Sequence, residues 1–348
     1  MTTDTITIPF PDDFHHHFRS SPSTASILPH VQQRFGRCIA MPNTTPPITT
    51  TELALQYYDD ITTCLPAYQY KATFQPLMTL YLTDNTTEAE IKLAKATGKI
   101  NACKFYPAGA TTNSQFGVSD VKKAYPAIHA MQECGMLLLI HSEVSRSNVD
   151  IFDREKVFIE EVMIPLVADF PDLKIVMEHV STKNGVDYVK SAGPNIAASI
   201  TCHHLLYNRN AILVGGIKPH YYCLPILKRE MHRVALLEAA TSGSAKFIMG
   251  TDSAPHDTKK KESSCGCAGC FTGHAAVELY AEAFDSVEKI DMLASFVTNG
   301  GDHYGLPRVK ETLTLKRENW VVPDDLEFGE GRMVPLRAGE HVMWKIQE

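Results

Sequence analysis

Short apolar runs rich in β-branched residues recur along this chain and alternate with longer segments of helical periodicity. Eight such runs can be identified, at residues 5–8 continuing into 14–17, 37–41, 73–80, 102–106, 136–140, 174–177, 196–201 and 246–249. Helix start signals lie between them, for example the threonines and glutamate at 49–52, and Gly135 is a glycine stop. Strands that alternate with helices indicate a parallel sheet, and eight units predict an α/β fold of the TIM-type (β/α)8 barrel class.

Composition narrows the classes of protein that this chain can be. No Pro/Gly/Ser linker, low-complexity tract or repeat marks a boundary, so residues 1–348 are interpreted as one barrel domain. The stretch at about 310–348 is predicted to be a peripheral C-terminal segment. Thirty-three Lys and Arg against forty Asp and Glu give a net charge of -7, which argues against a nucleic-acid partner.

The expected location follows from the N-terminus and the cysteines. The start of the chain, MTTDTITIPFPDD, lacks a basic region followed by a long apolar one, and no apolar run approaches the roughly 18 residues of a membrane span. Nine cysteines, several inside strand-like runs, are typical of reduced thiols. These observations predict a cytoplasmic protein without a membrane partner.

Polar residues end most of the predicted strands or follow directly after them. They are His15, His17, Asn43, Lys104, His141, His179, Asp252 and His256. Because catalytic groups in such barrels project from the C-terminal ends of the strands, this placement predicts one shared site. Any one of these histidines alone has an ordinary alternative as a hydrogen-bonded core or surface residue.

Imidazoles and a carboxylate at one barrel end form a ligand set suited to zinc. Strand alternation places His15 and His17 on one face and His16 on the other. Burial would lower the pKa of Lys104, and a neutral amine near metal ions can add carbon dioxide to become an anionic, bridging carbamate. The alternative for Lys104 is a side chain that extends to the barrel mouth. The set suffices for two metals, with His15, His17 and Asp252 on one, His141 and His179 on the other, and Lys104 across both.

The ordered motifs carry a resemblance over essentially the whole chain. They are PDDFHHHFR, AMPNTTPP, CKFYPAGATTNS, LLIHSEV, IFDREKVFIEEV, IVMEHVSTK, LVGGIKPHYYCLPILK, MGTDSAPH and KKESSCGCAGCF. In this order they resemble the amidohydrolase superfamily and, within it, the dihydroorotases of the shorter single-chain type found in many bacteria and fungi. The resemblance implies two Zn²⁺ per chain, bridged by N6-carboxylated Lys104, and a homodimer.

The resemblance also implies roles for single residues. His15, His17, Lys104, His141, His179 and Asp252 match the family's metal ligands, and Asp252 also matches its catalytic aspartate. Arg19, Asn43 and His256 match the groups that bind the substrate carboxylate, and a planar guanidinium fits a carboxylate. Backbone groups at Leu224 and Ala268 would contact the substrate ring. Thr111 and Thr112 match a loop that closes over the substrate, although an ordinary exposed loop is the alternative.

The implied reaction is the interconversion of L-dihydroorotate, a small molecule, and N-carbamoyl-L-aspartate in de novo pyrimidine biosynthesis. Alternatives are another cyclic-amide hydrolase of the hydantoinase or allantoinase kind, a deaminase of the same superfamily, or a catalytically silent barrel scaffold. The CGCAGC stretch offers three thiols at Cys265, Cys267 and Cys270, one short of a closed structural zinc site. We therefore interpret it as a loop whose backbone approaches the substrate.

Overall fold

A computed structural model of the protein describes residues 4–66 and 73–347. Its strands are β1 (Thr5–Pro9), β2 (Asp12–His16), β3 (Arg37–Ala40), β4 (Gln75–Leu82), β5 (Ile100–Phe105), β6 (Leu137–His141), β7 (Ile175–Glu178), β8 (Ile196–Ile200), β9 (Phe247–Met249), β10 (Thr312–Val321), β11 (Leu326–Phe328), β12 (Gly331–Met333) and β13 (His341–Gln347). Strands β2 to β9 pair in sequence order and in parallel, as a (β/α)8 barrel requires. The barrel prediction is confirmed.

The helices lie between and after these strands. They are α1 (Ser23–Gln32), α2 (Thr51–Thr63), α3 (Glu88–Ala96), α4 (Tyr125–Cys134), α5 (Arg154–Phe158), α6 (Ile164–Asp169), α7 (Lys183–Ser191), α8 (Cys202–Leu206), α9 (Asn210–Leu213), α10 (Glu230–Ala240), α11 (Thr258–Lys261), α12 (Ala276–Asp285) and α13 (Leu293–Tyr304). Short 3-10 turns occupy Val121–Ala124, Pro219–Tyr221 and Ile290–Met292, and a π-helical turn joins α5 to α6 at Ile159–Met163. None of the helices among the described residues is long and apolar enough to span a membrane.

Local sequence signals account for several element boundaries. The Thr50 hydroxyl accepts a hydrogen bond from the Leu53 amide and so caps α2. Gly135 adopts a left-handed conformation with φ of 67° directly after α4, as the glycine stop predicts. These local signals set the lengths of the helices that surround the barrel.

The first strand differs from the prediction. Residues 5–8 do not continue into the barrel strand, because β1 pairs antiparallel with β10 in a separate three-stranded sheet that also contains β13. Pro11, which lacks a backbone N–H donor, lies between the end of β1 at Pro9 and the start of β2 at Asp12. The expectation of one continuous strand is wrong.

The barrel closes where its first and last strands meet. The Asp252 amide donates to the His15 carbonyl at 2.9 Å, and the His17 amide donates to the Ser253 carbonyl at 3.1 Å. A buried apolar cluster that includes Leu137, Leu139 and Val176 belongs to the strands, while a larger cluster packs the helices around them. This core holds the C-terminal ends of the strands in fixed positions.

Candidate active site

A pocket lies at the C-terminal ends of the barrel strands. Its lining residues are His15, His17, Arg19, Asn43, Tyr106, Thr111, Thr112, His141, His179, Leu224, Asp252, Ala254, Ala268 and Gly269. The structure therefore brings together nearly all of the residues singled out from the sequence. The two that are not in this lining are Lys104, which is fully buried, and His256, which lies against Arg19.

The predicted metal ligands converge through their free nitrogen and oxygen atoms. We refer to His15, His17, Lys104, His141, His179 and Asp252 as the ligand cluster. Asp252 Oδ1 lies 3.0 Å from His17 Nε2 and 3.3 Å from His15 Nε2. On the other side, His141 Nδ1 and His179 Nε2 face each other at 3.3 Å. Such convergence of imidazole nitrogens and a carboxylate fits a transition-metal site.

The charges in the ligand cluster are coupled. Burial would raise the pKa of Asp252, but the adjacent His15 and His17 rings outweigh it and hold that pKa well below its usual range. Burial lowers the pKa of His17 to about 3 and lowers that of His179 well below its usual value. Asp252 is therefore an anion, and these two imidazoles are neutral, which is the protonation state that metal binding needs.

Three of the predicted residues that line the pocket have a strained backbone conformation. His179, Asp252 and Arg19 have φ of 41°, 45° and 63°, in the left-handed region that residues other than glycine seldom adopt. His179 follows the last residue of β7, and the turn at this position directs its ring to the pocket. Strained conformations of this kind cluster at functional sites, where the surrounding structure imposes them.

Lys104 carries a fully buried amine. It is on β5 with none of its side chain exposed, and among the described residues its Nζ has no hydrogen-bond partner. The Nζ lies 5.0 Å from the centre of the Tyr106 ring. Burial lowers the pKa of Lys104 to about 8, so a substantial fraction of this amine is neutral near physiological pH. A carbamate at this position would fit the donor set around it.

Two buried glutamates orient histidines of the ligand cluster, and neither was predicted from the sequence. Glu178 Oε2 lies 2.7 Å from His15 Nδ1 and accepts a hydrogen bond from the Ser199 hydroxyl. Glu143 Oε2 lies 2.9 Å from His141 Nε2. Each carboxylate occupies one ring nitrogen and leaves the other facing the cluster, as outer partners of metal-bound histidines do. Their signal in the sequence was a glutamate within two residues of a predicted ligand.

A third carboxylate, that of Asp13, joins the first and last barrel strands. Its Oδ1 accepts hydrogen bonds from the amides of His15 and Thr251 at 3.1 and 2.8 Å. Its Oδ2 lies 2.8 Å from His16 Nδ1, so the His16 ring points away from the ligand cluster, as strand alternation predicts. Asp13 thus fixes the backbone on which His15 and Asp252 stand.

Arg19 supplies a positive charge next to the ligand cluster. Its Nε donates to the Pro255 carbonyl at 3.0 Å, and its Nη2 lies 3.1 Å from His256 Nε2. In residues 4–66 and 73–347, no carboxylate forms an ion pair with this guanidinium. Burial, together with the charge of Arg19, lowers the pKa of His256 to about 2, so its ring is neutral. The guanidinium can therefore receive an anionic group of a ligand.

Loops over the pocket carry the remaining predicted residues. We refer to residues 111–113, 222–225 and 265–270 as the rim loops. Asn43 Nδ2 donates to the Thr112 carbonyl, and the Thr112 hydroxyl donates to the Ala268 carbonyl over a longer distance of 3.4 Å. The Gly269 amide donates to the Tyr222 carbonyl at 3.0 Å. The rim loops are thus joined largely through backbone groups.

The CGCAGC cysteines do not converge on one point. Cys265 is exposed, Cys267 is half-buried, and Cys270 is buried with its thiol donating to the His220 carbonyl. Among the described residues, the side-chain groups close enough to hold a metal do not include these three thiols together. The arrangement favours the loop interpretation over a structural zinc site.

Comparisons with known proteins agree with this geometry. No protein-family model matches the chain. A protein of Vibrio vulnificus (strain YJ016) named dihydroorotase is 56% identical over 344 residues, which is 99% of each chain. The solved dihydroorotase of Saccharomyces cerevisiae in complex with 5-fluoroorotic acid is 29% identical, covers 99% of each chain and superposes with a TM-score of 0.90. An L-hydantoinase of Arthrobacter aurescens, 14% identical, covers 98% of this chain and 82% of its own with a TM-score of 0.80, and shares the fold alone.

Proposed function

The chain belongs to the dihydroorotase family of cyclic amide hydrolases, and from this premise we propose that it interconverts L-dihydroorotate and N-carbamoyl-L-aspartate with two zinc ions. We place this reaction in de novo pyrimidine biosynthesis. One observation carries the proposal: a single pocket is lined by five of the six residues of the ligand cluster, all but Lys104, and by an Arg19 guanidinium that pairs with no described carboxylate. A cyclic amide that bears a carboxylate is the substrate that such a pocket suits.

The donor atoms support a site for two metal ions. His15, His17 and Asp252 would hold one ion, His141 and His179 would hold the other, and N6-carboxylated Lys104 would bridge them. Two observations support this assignment. His141 Nδ1 lies 3.3 Å from His179 Nε2, and the buried Lys104 Nζ has no hydrogen-bond partner among the described residues. When bound, the metals would lower the pKa of a water molecule and polarise the substrate carbonyl.

Asp252 would carry the proton of the reaction. Its carboxylate is ionised and buried beside His15 and His17, so it can accept the proton of the attacking water as the ring opens. The same carboxyl would then donate the proton to the amide nitrogen that leaves. In the direction of ring closure, Asp252 would remove that amide proton, because microscopic reversibility requires one group for both directions.

Arg19, Asn43 and His256 would bind the substrate carboxylate and so orient the ring for attack. Arg19 and His256 are adjacent, and Asn43 lies in the same pocket. Backbone groups at Leu224 and Ala268 would contact the ring, while Thr111 and Thr112 would close over it. The yeast relative that carries 5-fluoroorotic acid, a pyrimidine carboxylic acid, supports a ligand of this shape and charge.

The remaining expectations are also proposals. We propose a homodimer, a cytoplasmic location, and one barrel domain over residues 1–348 with a peripheral segment at about 310–348. The antiparallel pairing of β10 with β1 and β13 supports the last of these. A hydantoinase or allantoinase activity is the alternative chemistry, and Arg19 argues against it because those substrates do not require a carboxylate-binding cation.

The test measures zinc content and dihydroorotate hydrolysis on the same purified protein, before and after chelation. We expect about two zinc ions per chain and hydrolysis that is lost on chelation and regained with zinc. Hydantoin and allantoin serve as control substrates. Bound zinc with hydrolysis of hydantoin but not of dihydroorotate would favour the alternative, and absence of both metal and activity would favour a silent scaffold.

A further inference from the structure

Lys261 joins two rim loops through its ammonium group. The side chain ends α11 and is only 3% exposed. Its Nζ donates to the carbonyls of Tyr222, Cys267 and Gly269, each at 2.8 Å. One acceptor precedes Leu224 by two residues, and the other two flank Ala268 on either side. The ammonium therefore bonds the backbone next to both proposed ring contacts.

We propose that Lys261 is a positioning residue that fixes the backbone of residues 222–225 and 265–270 and thereby sets the affinity for the substrate ring. The inference rests on the proposed function, since it concerns the same pocket. Lys261 would not touch the substrate. It would act through the peptide groups of Leu224 and Ala268, whose orientation depends on the carbonyls that it holds.

The chemistry of the ammonium explains why a lysine is suited to this position. An ammonium has three N–H donors, and here all three have acceptors. A buried cation normally pairs with a carboxylate, yet no Asp or Glu in residues 4–66 and 73–347 forms an ion pair with Lys261. Its desolvation is offset by charge-assisted bonds to carbonyl groups, so displacement of either loop would leave a buried charge less well bonded.

A second set of contacts shows how closely the two loops approach. The Gly269 amide donates to the same Tyr222 carbonyl that accepts from Lys261. Gly269 has φ of 145°, and a Cβ at this position would lie 2.5 Å from the Ala254 carbonyl oxygen. Gly269 therefore bonds the Tyr222 carbonyl on one side and packs against the Ala254 backbone on the other with no room for a side chain, and the ammonium bonds the carbonyls of both Tyr222 and Gly269.

The first experiment compares Lys261→Met with Lys260→Met. Methionine replaces the four-carbon stem with a chain of similar length and removes the ammonium, while Lys260 is an exposed lysine of the same helical turn and serves as a matched control. We expect the KM for dihydroorotate to rise about tenfold or more in Lys261→Met, with zinc content and kcat changed far less. Lys260→Met should match the unsubstituted protein. A KM within about twofold of the unsubstituted value in folded Lys261→Met would overturn the inference.

A second readout does not depend on turnover. Amide hydrogen exchange should accelerate in residues 222–225 and 265–270 of Lys261→Met and stay unchanged in the barrel strands. Binding of 5-fluoroorotate to the zinc-loaded protein should weaken by a factor similar to the rise in KM. Unchanged exchange in both loops together with unchanged binding would contradict the proposed role.

Lys261→Arg keeps the experiment informative if Lys261→Met does not fold. Its planar guanidinium retains the charge but cannot direct three N–H groups as an ammonium does, so we expect a KM between those of the other two proteins. An unchanged KM in folded Lys261→Arg, with unchanged loop exchange, would count against the proposal. If the unsubstituted, zinc-loaded protein neither hydrolyses dihydroorotate nor binds 5-fluoroorotate, the proposed function itself fails, which is a different result.

Discussion

The ligand cluster and the rim loops are built from different kinds of contact. The ligand cluster consists of side chains at strand ends, and buried carboxylates such as Glu178 and Glu143 hold its histidines in place. The rim loops are held mainly by backbone groups, and the side chains that join them include Lys261, the Thr112 hydroxyl and the Cys270 thiol. We therefore expect substitutions in the ligand cluster to change metal binding and turnover, and substitutions at the rim loops to change substrate affinity.

The largest effect should come from Asp252→Asn. The amide keeps the shape of the side chain but cannot accept the proton, so kcat should fall by about 10²- to 10⁴-fold, the usual contribution of a general base. Circular dichroism should show that the fold is kept. Asp291→Asn makes the same chemical change at an exposed position outside the pocket and serves as the matched control. Turnover near the unsubstituted level in Asp252→Asn would contradict the proton role.

Glu178→Gln should weaken zinc binding, with a smaller effect than that of Asp252→Asn on turnover. Loss of the carboxylate removes the negative partner of His15 Nδ1, and such outer partners typically contribute about 10- to 100-fold to metal affinity. Competition with a fluorescent zinc chelator would measure the change. The exposed Glu238→Gln serves as the control. Equal zinc affinity in both variants would show that Glu178 does not orient a ligand.

The pH dependence of zinc reloading tests Lys104. Because burial lowers its pKa to about 8, the neutral amine predominates above this pH and its fraction falls steadily below it, and the proposed carbamate would form from the neutral amine. Zinc reloading should be faster with dissolved carbon dioxide than without it. At a constant concentration of dissolved carbon dioxide, this difference in rate should fall roughly tenfold per pH unit below about pH 7. The reloading rate would be measured by stopped flow, as the recovery of activity when zinc is added to the metal-free protein. A difference in rate that stays constant from pH 6 to pH 8 would contradict the prediction.

The smallest effect should come from Thr112→Val at the rim loops. The hydroxyl makes one long bond, of 3.4 Å, to the Ala268 carbonyl, so its loss should raise the KM for dihydroorotate only about two- to fivefold. Zinc content should not change, and Thr112→Ser should restore most of the affinity. A loss of zinc in Thr112→Val would contradict the expectation that the ligand cluster determines metal binding and the rim loops determine substrate affinity.

The ligand cluster was largely predictable from the sequence because its residues follow strand periodicity. His141 ends the apolar strand β6, and parallel strands bring such ends together. His15 lies near the end of β2, whose other residues are mostly polar, so strand alternation and the neighbouring histidines marked it rather than an apolar run. His179 and Asp252 were found for the same reason as His141, although the left-handed backbone that directs them is not visible in a sequence. A site residue is predictable from the sequence when its type is chemically distinctive and it lies at the end of a predicted strand.

Apart from Glu143, which lies two residues from its partner His141, the features that were missed have partners far away in the sequence. Lys261 bonds carbonyl groups, which every residue carries, so no residue type marks its acceptors. Glu178 faces a histidine 163 positions away, and only the folded barrel brings them together. The separation of β1 from the barrel depends on pairing with β10 near the other end of the chain, which local apolar patterning does not indicate.

The most direct test of the two-metal ligand cluster is an anomalous scattering measurement at the zinc edge, on crystals of the unsubstituted protein and of Lys104→Ala. We predict two peaks in the unsubstituted protein, one beside His15, His17 and Asp252 and one beside His141 and His179, with continuous density from Lys104 to both. Lys104→Ala should lose at least one peak. A single peak in the unsubstituted protein, or two peaks of full occupancy in Lys104→Ala, would contradict the account.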